Sequence, residues 1–189
     1  MTATNATVQG KAGVIQYTEG VDTLSMHFES NGDVSNLIPA IEFPGGQAPP
    51  APGLPSFSFA ARWAVLPYGS KTPQTVPPID TTVSLTMQGF PLTIPVKGSG
   101  TSTYVGTEDI TVGAEKISTQ KAFVTYSVGF TIPLIGEGKI TINDTLWFSP
   151  KLGMFVKDDG LTTGQFPQGL GRSGIMGGNY SILTSYVIP

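Results

Sequence analysis

Asp80-Thr-Thr-Val-Ser-Leu-Thr-Met-Gln-Gly-Phe-Pro-Leu-Thr-Ile-Pro-Val-Lys97 alternates apolar and polar side chains on both sides of a Gln-Gly pair. Val83, Leu85 and Met87 alternate with Thr82, Ser84 and Thr86; Phe90, Leu92, Ile94 and Val96 resume the apolar set. Side chains repeat every two residues along a strand, so the stretch reads as a half-buried hairpin. With Gln88 and Gly89 as the loop, Met87/Phe90, Leu85/Leu92 and Val83/Ile94 all fall on one face. Turn position and apolar pattern then specify the same register.

Downstream the pattern continues. Gly98-Ser-Gly100 is expected to turn the chain into a threonine-rich strand, Thr101 to Val112. Ile117 to Ile132 follows, with Ala122, Val124, Tyr126, Val128, Phe130 and Ile132 against Lys121, Thr125 and Ser127. Lys139 to Phe148 sets Ile140, Ile142, Leu146 and Phe148 on one side. Asp144 breaks that side, and a buried carboxylate must find a partner, shift its pKa or be turned out by a bulge. A hairpin centred near Ile135 puts Tyr126 opposite Asp144 as a donor; a second carboxylate nearby would instead mark a ligand-facing acid. Asp158-Asp159 reads as a solvated turn, and Leu161 to Gly178 as a glycine-rich loop. The expected core is Val83, Leu85, Met87, Leu92, Ile94, Val124, Val128, Ile140, Ile142 and Leu146.

Upstream, Gly13 to Gly20 and Val21 to Glu29 read as short strands, with Leu24, Met26 and Phe28 alternating against Thr23, Ser25 and His27. Ser30-Asn-Gly-Asp33 marks a turn. Ten of the 16 prolines lie between Leu37 and Pro78, so residues 37–78 form a proline-rich insertion or lid over the sheet. Within it Phe57, Phe59, Trp63 and Val65 share a parity and read as a strand, with a short helix capped by Ser56 as the competing reading.

Composition limits the function classes. The 189 residues fit a single β domain, and with 24 Gly, 16 Pro and only 12% charged residues little material is left for helices. A net charge of -3 with scattered Lys and Arg speaks against nucleic acid. Cysteine is absent, there is one histidine, and no Gly-x-Ser-x-Gly elbow or P-loop occurs, so a non-enzymatic protein without cofactor or metal is expected. No apolar run is long enough for a transmembrane helix. Met1 to Thr7 is small and polar, as is the tether that follows a cleaved export signal, or simply a disordered start.

Trp147-Phe-Ser-Pro-Lys-Leu-Gly-Met-Phe-Val-Lys157, with Thr111-Val-Gly-Ala before Ala122-Phe-Val-Thr-Tyr-Ser-Val128 and a closing Leu183-Thr-Ser-Tyr-Val-Ile188, resembles motifs of exported bacterial β-rich proteins and lipoproteins. That resemblance implies an extracytoplasmic place: periplasmic, cell-surface or secreted. In outline it is similar to the half-barrels of LolA-type carriers, which hold acyl chains on a concave sheet. The chain is therefore expected to be all-β, a curved antiparallel meander in a half-barrel or open barrel, with the proline-rich segment covering it. Its expected role is to hold an apolar or lipid-like ligand; the alternative is an envelope interaction module that binds glycan or protein through exposed aromatics. Trp63, Tyr126, Asp144 and Trp147 are the candidate ligand-binding residues.

Overall fold

The computed structural model describes residues 2–19, 22–38, 41–43, 57–59, 62–87, 90–167 and 173–185. The Pro44 to Pro55 loop, the Gln88-Gly89 turn and the centre of the glycine-rich segment lie outside them. The described residues form thirteen strands and no helix: β1 (Thr2–Val8), β2 (Lys11–Glu19), β3 (Asp22–Phe28), β4 (Val34–Ile38), β5 (Ile41–Phe43), β6 (Phe57–Phe59), β7 (Arg62–Leu66), β8 (Gln74–Met87), β9 (Phe90–Val112), β10 (Glu115–Ile132), β11 (Gly136–Ser149), β12 (Met154–Gln165) and β13 (Gly174–Ile182).

All pairings are antiparallel. β8 to β13 make a six-stranded meander in which each strand lies beside its sequence neighbour; β1-β2-β3-β4-β7 make a second sheet, and β5-β6 a separate pair. The β8–β9 register is Met87↔Phe90, Leu85↔Leu92 and Val83↔Ile94, as the alternation predicts. Farther along, β8 bulges between Val76 and Ile79, where Pro77 and Pro78 have no N–H to give a ladder.

One core joins the two large sheets. Ala122, Val124, Tyr126, Val128, Phe130 and Ile132 of β10, with Ile94, Val96, Ile140 and Leu146, pack against Met26, Val34, Ala64 and Leu66 of the N-terminal sheet. Burying each large aliphatic here contributes about 1.5–3 kcal/mol. The cover expected from residues 37–78 comes, among the described residues, partly from their strand β7, through Ala64 and Leu66, and partly from Met26 and Val34 of β3 and β4. Two phenols tie the layers, Tyr17 donating to Gly153 O at 2.8 Å and Tyr68 to Leu146 O at 3.0 Å, while Asp33 accepts from Gly69 N and Ser70 N at 2.9 and 2.8 Å and so holds the link after β7 to the start of β4.

Four expectations are corrected. Gly98-Ser-Gly100 is no turn: β9 runs unbroken through it, and the glycines leave room for the Tyr126 ring, since a Cβ at Gly100 would collide with Thr125 O and that ring. Asp158-Asp159 is strand interior, and Leu161 to Gly178 is mostly the end of β12 and the start of β13. The β10–β11 hairpin closes through Pro133-Leu134-Ile135, with Leu134 at φ 68°, so Tyr126 faces Ile142 and Asp144 faces Val124.

Candidate functional site

The four candidate residues do not converge. Tyr126 and Asp144 project from the inner face of the meander, Trp147 from the outer face, and Trp63 from β7 in the other sheet. Tyr126 is core, 2% exposed, and its hydroxyl lies 3.4 Å from Pro77 O. Trp63 is half-buried, with the Lys11 ammonium 5.3 Å from its ring.

Trp147 is 4% exposed, which corrects the expectation of an exposed indole. The β9 bulge at Val105 and the β12 bulge at Val156 gather Ile110, Val112, Ile117 and Val156 around it into a second, smaller core. Lys121 and Lys157 sit 4.7 and 4.1 Å from the ring, and Nε1 donates to Glu108 Oε2 at 2.9 Å. That bond, then the one from Lys121, holds the Glu108 carboxyl below its usual range. The indole is a structural anchor with a charged lid.

Asp144 acquires the second carboxylate that sequence spacing could not show. It lies across from Gly160, and Leu146 lies across from Asp158, so Asp144 and Asp158 are diagonal neighbours on one face. Asn179 of β13 donates from Nδ2 to Asp158 Oδ2 at 2.7 Å. Burial, and then the Asp158 carboxyl, push the Asp144 pKa up to about 8, while a bond from the Thr145 backbone pulls the other way. Nearby, burial and the Asp144 charge raise the Tyr68 phenol.

A polar knot on the N-terminal sheet has the residue types of a nucleophilic site. Lys11 Nζ reaches Glu29 Oε1 at 2.6 Å and Ser35 Oγ at 3.1 Å, Ser35 donates to Glu29, and His27 Nδ1 stands 3.3 Å from the same carboxylate oxygen. Ser35 is fully buried, and its proton goes to a carboxylate held at about 2 by the Lys11 and Ser35 bonds. Such a carboxylate is a poor base and the hydroxyl is out of reach of substrate, so the knot is structural. Among the described residues no group of three or more His, Cys, Asp or Glu is placed to hold a metal ion, and no helix is long and apolar enough to cross a membrane.

An open feature among the described residues is β13, whose first half reads from sequence as part of the glycine-rich loop because its glycines mask the strand. It is the outermost strand of the meander, carries no charged side chain, and every residue is exposed. Ile175 is 76% and Tyr180 64% exposed, beside exposed Ile182 and Leu161. Leu183 N donates to Val156 O at 2.8 Å. Since N–H groups alternate along a strand, those of Tyr180 and Ile182 point away from β12 to the open edge. The other edge, β8, is guarded by Pro77, Pro78 and the exposed Asp80–Lys97 pair. Near the end of β13 a cleft of about 590 Å³ opens between the sheets, lined by Tyr17, Met154, Phe155, Ser181, Ile182 and Leu183 among others. Compared with known proteins, the chain matches no family model, no curated protein and no solved structure.

Proposed function

We propose that the chain is a non-enzymatic interaction protein that takes an extended, charge-poor segment of a partner polypeptide along β13 by strand addition. The observation that carries this reading is the unguarded edge: a nine-residue strand without charge, with outward N–H groups and exposed Ile175, Tyr180 and Ile182. Main-chain bonds at a sheet edge supply affinity to any extended peptide, and alternate side chains supply selectivity. The test is selection of displayed peptides against the folded protein. Enrichment of alternating apolar, uncharged sequences is expected, with binding lost in Tyr180→Pro and Ile175→Lys at unchanged melting temperature. No enrichment, or binding indifferent to both changes, removes the reading; enrichment on glycans instead of peptides transfers the site to the Tyr180 ring face.

The cleft supports a second reading, an apolar or lipid-like small molecule. Its volume of about 590 Å³ falls within the roughly 300–1,000 Å³ usual for small-molecule sites, and its apolar lining is edged by Ser181, Thr184 and Ser185. The N-terminal sheet fills the inner face of the meander, so the cleft is the seat for an acyl chain. Native mass spectrometry of the purified protein is expected to retain a lipid that Phe155→Ser loses; a ligand-free spectrum in the presence of excess fatty acid counts against it. Export belongs to the same proposal, and cell fractionation tests it.

A further inference from the structure

We infer that Asp144 and Asp158 share one proton, and that this proton latches the edge strand β13 to the sheet. Asp144 Oδ1 and Asp158 Oδ1 are both screened from solvent, and neither has a hydrogen-bond donor. Two ionised carboxylates at diagonal positions of one face offer each other only acceptors; a single proton shared by the pair turns that opposition into one O–H···O bond. Facing Asp144 are Val124 from β10, Asp158 from β12, the Tyr68 phenol beyond β7 and Asn179 from β13, with the charge of Asp159 acting from the other face of β12. None of these is a cation, and Lys121 and Lys157 lie on the opposite face against Trp147.

The pair reaches β13 through a specific opening. Gly160 has no side chain where Asn179 Oδ1 and Asp144 Oδ1 come together, so Asn179 folds over β12 and donates to Asp158 Oδ2 at 2.7 Å. Asp144, Asp158 and Asn179 thus link β11, β12 and β13 in one chain of hydrogen bonds. Losing the proton leaves two adjacent carboxylates with Asp159 beside them. Asp158 must then turn away from Asp144 or admit water, and either movement strains its bond to Asn179. Every side chain of β13 is exposed, so little burial compensates. An Asp144 carboxyl held up to about 8 by burial and by Asp158 agrees with a proton retained at neutral pH.

As a control on peptide docking the latch rests on the strand-addition reading; as a proton-linked strand it does not. The experiment is carbon-13 NMR titration of aspartate carboxyls on the full chain, with hydrogen exchange of β13 amides between about pH 6 and about pH 9, corrected for intrinsic rates. Asp144 is expected to titrate above neutrality, with protection of β13 falling about tenfold across that range and β9–β10 unaffected. Asp144→Asn, which keeps a donor toward Asp158, is expected to hold protection flat. Titration of both carboxyls in the ordinary acidic range, or an unchanged β13 profile in wild type, overturns the latch. If the variant does not fold, the wild-type titration and exchange decide alone. A failed titration leaves peptide docking standing, and failed peptide selection leaves the latch standing.

Discussion

Tyr126 needs a groove in the neighbouring strand, and Gly98 and Gly100 make it. A Cβ at Gly100 would meet the Thr125 backbone and the ring at 2.4 Å, whereas at Gly98 the nearest atom is the Tyr126 hydroxyl at 2.9 Å. Gly100→Ala is therefore expected to cost roughly 1–3 kcal/mol in urea unfolding and Gly98→Ala distinctly less. From sequence the pair reads as a turn, because glycine marks both a bend and a place where another residue comes close, and only the partner strand tells which. Asp144 was legible as an anomaly of the alternation, but its partner was not, since Asp158 is fourteen residues on and its register depends on bulges. Glu29 gives a prediction with the ordinary carboxylate sign. Its folded pKa of about 2 lies below the unfolded value, so it adds stability above about pH 4.5 that is lost as pH falls toward 2. The Glu29 side chain is 30% exposed and screened, so Glu29→Gln should flatten the acid limb by about 1 kcal/mol or less, read from melting temperature against pH.

Strands whose two signals agreed were the legible ones. The β8–β9 register and the inner face of β10 follow from period-two alternation that the turn position reinforces. The β10–β11 pairing differs by two residues because its loop has three residues with a left-handed Leu134, which a leucine does not advertise. Met154 to Lys157 reads as a strand, but the rest of β12 and β13 were hidden because Asp158-Asp159-Gly160 and the later glycines satisfy turn statistics while serving cross-strand contacts. The unequal edges of the meander carry a prediction of their own. On concentration or gentle heating, association should proceed through β13 rather than β8, and Ile175→Lys should suppress it in light scattering while stability stays within about 0.5 kcal/mol.

Across the whole molecule, the all-β class and the meander could be read directly, but the second sheet could not. Of its strands β2, β3 and β7 were recognisable, but β1 read as a polar tether or disordered start and β4 was not read as a strand, and β4 pairs with β7 more than twenty residues on, a partner that no local period encodes. The cover was accordingly assigned to residues 37–78 alone, where Ala64 and Leu66 of that segment share it with Met26 and Val34. Those residues share the main core with β10 and β11, and only the smaller cluster around Trp147 belongs to the meander alone. That arrangement has a spectroscopic consequence. The chain has two tryptophans, Trp63 in the N-terminal sheet and Trp147 in the meander, so each layer carries its own fluorophore. Trp63→Phe and Trp147→Phe each leave one emitter, and with a common core the two emission curves should share a slope against denaturant and, after allowance for each substitution, report a single transition. Separated transitions would mean that one sheet melts while the other glows as folded, and the seam between them would then be a real boundary in the unfolding of the chain.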